Sequence, residues 1–231
     1  MIGLGTLINT GAILAGGLLG GLFGRFLSQH TQEALTKACG ISTIFIAVAG
    51  ALEQMALVEN SAMLVIGCLT LGALMGEIVN IEGAFERFGT WLKEKTGNSK
   101  DARFVNAFVS ASLTVCIGAM AIVGSIQDGI TGDYSILATK AALDLIIIMA
   151  MTASLGKGAV FSAIPVALLK GTITILAGLM KGIMTDPAMT NLSLIGNILI
   201  FCVGINLLFG RKIRVANLLP AIVFAVIAAF I

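Results

Sequence analysis

Long apolar runs recur along the whole chain and are separated by short polar connections. An α-helix rises about 1.5 Å per residue, so about 20 apolar residues cross a hydrocarbon layer about 30 Å thick. The runs lack the alternation of polar and apolar residues that the strands of a membrane β-barrel show. The pattern predicts an all-α, polytopic transmembrane helix bundle with about eight spans, all in one domain over residues 1–231. The predicted spans are 3–24, 38–57, 61–82, 104–126, 136–155, 159–180, 191–209 and 214–231.

One connection, at 83–103, is much longer than the others. Its apolar and charged residues fall on opposite sides of a helix, which is typical of an amphipathic helix lying on a membrane surface. The apolar side carries Phe85, Phe88, Trp91 and Leu92, and the charged side carries Glu86, Arg87, Lys93 and Lys95. We interpret this segment as an anchor on the inner membrane surface, with a gate or a docking surface as the alternative.

Composition and charge distribution agree with a lipid environment. Of the 231 residues, 58% are hydrophobic and 11% are charged, whereas soluble domains carry roughly 25% charged residues. Eleven of the 14 Lys and Arg residues fall in alternate connections, and cytoplasmic loops are enriched in such residues. The chain is therefore predicted to cross the cell inner membrane with both termini on the outer side. The eleven are Arg25, Lys37, Arg87, Lys93, Lys95, Lys100, Arg103, Lys157, Arg211, Lys212 and Arg214.

Several kinds of chemistry are disfavoured. No basic stripe alternates with aromatic residues, so nucleic-acid binding is not expected. The only histidine is His30, and there is no Ser/His/Asp set, HExxH motif or phosphate-binding glycine loop. The four cysteines lie in or beside apolar runs and have no CxxC spacing. The sequence predicts no enzyme activity and no cofactor, and it identifies no metal site.

An internal repeat is a further prediction. Residues 14–50 align without gaps to residues 168–204, with 11 matches in 37 positions. The match equates spans 1–3 with spans 6–8, and the five-span offset makes the two copies inverted. Inverted repeats of three helices are common in secondary transporters, which place their site near the membrane midplane between the copies.

Small residues recur at a spacing of four in three of the spans. Such faces let helix backbones approach closely in lipid. They predict tight packing within the bundle or the seam of a homo-oligomer, with the lining of a narrow pore as the functional alternative. The faces are Gly16, Gly20 and Gly24, then Gly72 and Gly76, and then Gly178 and Gly182. Pro165 and Pro220 lie inside predicted spans 6 and 8, where each is expected to kink its helix.

Charged residues at membrane depth are the most informative feature of the chain. On insertion scales each such residue costs at least about 2.5–3.5 kcal/mol. Asp144 lies well inside span 5, with Lys140 four residues before it on the same helix face. Lys170 lies near the middle of span 6 at a similar depth. Two readings stay open: a structural ion pair that locks spans 5 and 6, or a site for an ion, a proton or a substrate.

The end of span 4 combines an amide, a carboxylate and flexible glycines near the outer boundary of the membrane. Gln127 and Asp128 are therefore candidates for the outer mouth of a cation path, and an ordinary polar helix end is the alternative. Asn9 in span 1 could bond between helices or line the same approach. The candidate pathway residues are Asn9, Gln127, Asp128, Lys140, Asp144 and Lys170.

Several segments resemble domain-of-unknown-function family 554 (YqgA-like) of bacterial membrane proteins, and the resemblance covers nearly the whole chain. That family carries the label of a candidate sodium channel or pump, which implies cation transport. Lys170 departs from the resemblance, which would place a neutral polar residue at its position. The matching segments are 5–11 (GTLINTG), 116–129 (CIGAMAIVGSIQDG), 140–144, 156–158, 161–162, 204–208 and 217–221.

These observations favour a secondary transporter or channel for a small solute, with a monovalent cation as the first candidate. Asp144 would be its central charge. A carrier of small organic acids coupled to protons is the alternative, with Lys140 or Lys170 meeting the anion. A membrane scaffold or sensor subunit that transports nothing also stays open. In each case the expected partners are the lipid bilayer and, for a transporter, a small ion or solute.

Overall fold

The computed structural model describes residues 2–24, 26–58, 60–116, 119–177, 185–210 and 212–230, and the regular structure of these residues is helical. The α-helices are α1 (Leu4–Gly24), α2 (Gln29–Met55), α3 (Ser61–Val79), α4 (Ile81–Lys95), α5 (Phe104–Cys116), α6 (Ala119–Thr131), α7 (Ser135–Leu155), α8 (Ala163–Ile175), α9 (Asp186–Phe209) and α10 (Pro220–Ala228). Two 3-10 helices, Lys157–Ser162 and Val215–Leu218, precede α8 and α10. The prediction of an all-α membrane helix bundle is confirmed.

Six of these segments are long and apolar enough to cross a membrane: α1, α2, α3, α7, α9 and the 3-10 helix that continues into α8. Helices α5 and α6 together qualify as a seventh span, although their axes differ by 76°. The apolar segment Val215–Ala228 is shorter than a full crossing. The total of eight crossings therefore stays a prediction.

The two ends of the bundle are named by the helices that begin at each of them. We call the end at which α1, α7 and α9 begin the outer end, and the opposite end the inner end; which membrane side each faces stays a prediction. Helix α2 begins at the inner end, well before its predicted span, because the Ser28 hydroxyl oxygen accepts a hydrogen bond from the Thr31 amide at 3.2 Å. This N-cap extends the helix through polar residues that hydropathy alone does not assign to it.

Helix α4, which ends at Lys95, covers the first part of the amphipathic segment predicted at 83–103. Asn80 adopts the left-handed conformation at φ 54°, which allows the sharp turn between α3 and α4. Phe88 stacks on Trp91 and also contacts Phe108 of α5, so the apolar side of α4 packs on the bundle. Trp91 remains half-exposed at the inner end.

The small-residue face of α1 packs against the backbone of α7. A Cβ added at Gly16 would overlap the Leu145 carbonyl oxygen, and one added at Gly20 would overlap the Met149 carbonyl oxygen. Gly24 similarly faces Ala153. On α3, the glycines face the start of α10 and the 3-10 helix before it, with Gly72 against Ala221 and Gly76 against Asn217. These two faces are therefore covered within the chain, and a homo-oligomer would have to use other surfaces.

The third predicted face, Gly178 and Gly182, lies outside the described residues, as do Arg25 and Arg211 of the predicted inner connections. The two prolines are not in the middle of α-helices. Pro165 is the third residue of α8 and Pro220 is the first of α10, so each marks a change from 3-10 to α-helix. A proline in the first turn removes an N–H that has no partner within the helix, so it is tolerated there.

Helices that the predicted repeat equates lie against each other. Helix α2 packs along α9, and α3 packs along α10. Mutual packing of equivalent elements is expected if a two-fold axis relates them. The repeat itself and the inversion of its copies stay predictions.

Gly20→Ala is expected to lower the thermal unfolding temperature of the detergent-purified protein, because its methyl group overlaps the backbone of α7. Overpacking of this kind destabilises by about 1–3 kcal/mol. Gly11→Ala is the matched control on the same helix, since a Cβ there meets nothing within 4 Å. It should leave stability unchanged or raise it by up to about 1 kcal/mol through helix propensity. Equal effects of the two substitutions would contradict the α1–α7 packing.

Candidate functional site

The carboxylate of Asp144 in α7 is completely buried and lies among polar groups from three helices. Its Oδ1 accepts a hydrogen bond from Lys140 Nζ at 2.8 Å, and its Oδ2 accepts one from Asn9 Nδ2 at 2.9 Å. Lys170 Nζ of α8 lies 3.8 Å from Oδ2. The predicted pairing of Asp144 with both lysines is therefore present. We call Asn9, Lys140, Asp144 and Lys170 the charged cluster.

Asn9 holds the charged cluster together because its amide both donates and accepts hydrogen bonds. Its Nδ2 donates to Asp144, and its Oδ1 accepts from Lys170 Nζ at 2.6 Å. Asn9 and Lys170 are fully buried, whereas the Lys140 side chain keeps 11% of its surface exposed. Lys140 is therefore the cluster residue whose side chain is partly exposed at the surface of the bundle.

A layer of aliphatic side chains closes the cluster on its inner side. Ile13, Ile148 and Val166 each lie one helical turn from a cluster residue, toward the inner end, and all three are fully buried. On the other side, the buried Thr6 and Thr174 hydroxyls lie 3.4 Å apart. The charged cluster thus lies in the outer half of the bundle, with polar groups above it and an apolar layer below it.

The end of α5 lies next to the charged cluster. The Cys116 thiol, at the end of α5, is within electrostatic range of Lys170, Lys140 and Asp144. Carbonyl groups in the last turn of a helix lack partners within that helix and carry partial negative charge. The end of α5 therefore adds a negative potential beside the two ammonium groups.

Asp128 takes part in a helix cap, and its predicted place at the outer mouth of a cation path stays a prediction. Its carboxylate is fully buried and accepts hydrogen bonds from the amides of Gly3 at 3.2 Å and Gly5 at 3.1 Å. These amides belong to the start of α1, where N–H groups have no partner within the helix. Asp128 thus caps α1, about one turn outward from Asn9. Gln127 donates to the exposed Asp133 carboxylate at 2.9 Å.

Asp133 lies in the connection between α6 and α7 at the outer end. Hydrogen bonds from the hydroxyl and the amide of Ser135 hold the pKa of Asp133 below its ordinary value. The carboxylate that Gln127 meets is therefore ionised at neutral pH. Gln127 and Asp133 form a polar pair at the outer end, and a role of Gln127 in a cation path stays a prediction.

Another buried carboxylate, that of Glu82 in α4, was not among the candidates. It accepts a hydrogen bond from the Ala216 amide at 3.0 Å, and its own amide donates to Asn217 Oδ1 at 2.7 Å. Asn217 in turn donates to Glu77 at 2.8 Å. These bonds fix the 3-10 helix before α10 against the α3–α4 corner. The sequence gives no signal for them, because the partners are more than 130 residues apart.

Of the two lysines in the charged cluster, only Lys140 lies within hydrogen-bond distance of the Asp144 carboxylate. The two lysines should therefore contribute unequally to the free energy of unfolding. Lys140→Gln leaves Asp144 with Lys170 beyond hydrogen-bond distance, and breaking a buried pair costs about 3–5 kcal/mol. Lys170→Gln keeps the Lys140–Asp144 pair, and a glutamine can still donate to Asn9, so we expect a loss of about 1 kcal/mol. Thermal unfolding in one detergent compares the two variants. A larger loss for Lys170→Gln would contradict the geometry of the cluster.

Among the described residues, no group of three or more His, Cys, Asp or Glu side chains could hold a metal ion.

Comparison with known proteins agrees with the resemblance noted in the sequence. Over 227 residues the chain is 28% identical to an uncharacterized membrane protein, YdfK, of Bacillus subtilis (strain 168), covering 98% of this chain and 96% of YdfK. It is 27% identical over 226 residues to an uncharacterized protein, YqgA, of Escherichia coli (strain K12), covering 96% and 94%. No solved structure matches. The model of a protein family of unknown function, DUF554, matches residues 4–230. The chain is thus a multi-pass membrane protein that belongs to the DUF554 family.

Proposed function

We propose that this protein is a secondary transporter for a small ion, that a monovalent cation is its first candidate substrate, and that it has no enzyme activity. The observation that carries the proposal is the burial of Asp144, Lys140 and Lys170 together inside a bundle whose outer surface faces lipid. Ionisable side chains at membrane depth are rare and mark ion and proton pathways by default. The cluster joins three helices, so its rearrangement would move them relative to one another.

In the proposed mechanism, a cation exchanges with a lysine ammonium at Asp144. Lys170 Nζ lies 3.8 Å from the carboxylate and is held mainly by Asn9, so it is the less tightly paired lysine. A monovalent cation that enters beside Asp144 adds one charge, and loss of a proton from one lysine removes one. The total charge of the cluster is then unchanged, which limits the electrostatic free energy of binding in a low-dielectric site. Cation entry is thereby coupled to proton release.

Two features around the cluster support this mechanism. The partial negative charge at the end of α5 favours a cation at the same depth. The layer of Ile13, Ile148 and Val166 closes the inner side, so this conformation gives the cluster no polar route to the inner end through those residues. Alternating access requires that layer to open when the outer side closes.

The excess of lysine over carboxylate in the cluster favours a second candidate, a carrier of small organic acids coupled to protons. A substrate carboxylate would bind Lys140 or Lys170, and Asp144 would exchange a proton. Within the bundle, however, Asp128 lies about one turn outward from Asn9 and offsets the additional ammonium charge. The cation candidate therefore comes first.

We further propose that the protein lies in the cell inner membrane with both termini on the outer side. Positive side chains at the inner end support this orientation, among them Lys37, Lys100, Arg103 and Lys157. Fusion of alkaline phosphatase to the C-terminus tests it, since that enzyme is active only outside the cytoplasm. We expect an active fusion, and a C-terminal cytoplasmic reporter that is active instead would overturn the orientation.

Proteoliposome flux measurements with Li⁺, Na⁺, K⁺ and Rb⁺ test the transport function. In the presence of a proton gradient, the wild-type protein should transport at least one of these ions in exchange for protons. The Asp144→Asn variant should reduce that flux to the rate of empty liposomes. Asp186→Asn is the matched control, because it removes an exposed carboxylate at the outer end of α9. It should transport like the wild type.

Three outcomes contradict parts of the proposal in different ways. Unchanged cation flux in Asp144→Asn would rule out the charged cluster as the site. Flux of small carboxylates without cation flux would replace the first candidate by the second. The absence of flux for every ion would leave the scaffold or sensor function, in which α4 is the expected docking surface.

A further inference from the structure

A polar cavity lies at the inner end of the bundle, apart from the charged cluster. It has a volume of about 380 Å³ and opens between α2, α5, α7 and α9. This volume falls within the range of about 300–1,000 Å³ that is typical of sites for small molecules. We call it the inner pocket. Its polar lining comprises Gln32, Glu33, Thr36, Lys37, Arg103, Asn106 and Ser154, and Leu155, Leu207 and Leu208 form an apolar wall.

The charges in the lining of the inner pocket favour an anion. Lys37 and Arg103 are positive and Glu33 is negative, so the lining carries one excess positive charge. Among the described residues, neither Lys37 nor Arg103 forms an ion pair. Arg103 Nη1 donates only a long bond of 3.4 Å to Gln32 Oε1, and its backbone amide bonds Asp101. Most of the guanidinium donors therefore remain available.

Other donors in the inner pocket are also available. The Asn106 side chain has no hydrogen-bond partner among the described residues, and its NH2 group can donate to an anion. The planar guanidinium of Arg103 presents paired N–H groups that match the oxygens of a phosphate. Lys37 adds a mobile point charge. This set of donors is suited to a phosphate group that has one negative charge.

The position of the inner pocket indicates where such a phosphate comes from. The lining residues lie within the first nine residues of α2, at the start of α5 and in the last turns of α7 and α9, close to where these helices leave the hydrocarbon layer. Lipid phosphates lie at this depth. The leucine wall gives the cavity an apolar side, which suits a glycerol backbone and the start of an acyl chain.

We propose that the inner pocket binds the phosphodiester headgroup of an anionic phospholipid. Basic pockets between transmembrane helices at the membrane surface are a recognised form of lipid site. The lipid would join the four helices at their inner ends, including α7, which carries Asp144 farther toward the outer end. This inference depends on the inner pocket alone and does not require that the protein transports an ion.

Native mass spectrometry of the delipidated, full-length protein in a neutral detergent tests the proposal. The probes are phosphatidylglycerol, phosphatidylcholine with the same acyl chains, and inorganic phosphate. Phosphatidylglycerol should bind saturably and at least about tenfold more tightly than phosphatidylcholine, because each basic residue adds about 1 kcal/mol to the binding of an anionic lipid.

The double variant Lys37→Gln/Arg103→Gln should lose about thirtyfold in affinity for phosphatidylglycerol. The matched control is Lys93→Gln/Lys95→Gln, which removes the same charge from α4 at the inner end, outside the lining of the inner pocket. It should bind within about twofold of the wild type, since only distant screened charge is lost. The single variants Lys37→Gln and Arg103→Gln serve if the double variant does not fold.

Three results would overturn the proposal. Equal binding of the anionic and the zwitterionic lipid would remove the charge selectivity. Wild-type affinity in Lys37→Gln/Arg103→Gln would place the lipid elsewhere. Displacement of phosphatidylglycerol by an equal concentration of inorganic phosphate would show that a free anion, and no lipid, is the ligand of the inner pocket.

Discussion

The structure depends on the need to neutralise Asp144 at membrane depth. An isolated carboxylate there would be expensive, and its attraction to lysine offsets that expense only when the remaining hydrogen bonds are also made. The position of Lys140 beside Asp144 follows from the geometry of α7, because residues four apart share a helix face. Asn9 and Lys170 come from other helices, so α1, α7 and α8 must keep one register. The glycines of α1 permit this register, since Gly16 and Gly20 bring its backbone against that of α7.

The same arrangement explains why the cluster is a candidate for function as well as for stability. A single strong pair would suffice to compensate one carboxylate, yet two ammonium groups and an amide surround Asp144. In the proposed mechanism, the additional lysine makes the charge of the cluster adjustable, because a proton would leave without exposing an unpaired carboxylate. Polar groups continue outward to Asp128, whereas aliphatic side chains close the inner side. Such asymmetry is what one conformation of an alternating-access transporter requires.

Much of the fold follows from the sequence, because helix length and apolar composition suffice to identify membrane helices. The Lys140–Asp144 pair follows from its spacing, and the depth of Lys170 indicates a partner in span 5. The bridging role of Asn9 could not be predicted, since it depends on the register between three helices. That Asp128 caps α1 could not be predicted either, because its partners Gly3 and Gly5 are more than 120 residues away. Pro165 and Pro220 begin α-helices because a 3-10 helix precedes each of them, a boundary that hydropathy does not reveal.

In the proposed mechanism, a cation and a proton exchange at Asp144. This exchange predicts proton release when the cation binds, which a pH indicator can measure in a weakly buffered solution of the detergent-purified protein. Addition of the transported cation as its chloride salt should acidify the wild-type solution in a saturable way, and choline chloride should not. The Asp144→Asn variant should release no protons. No acidification with any monovalent cation, or equal acidification in Asp144→Asn, would contradict the account.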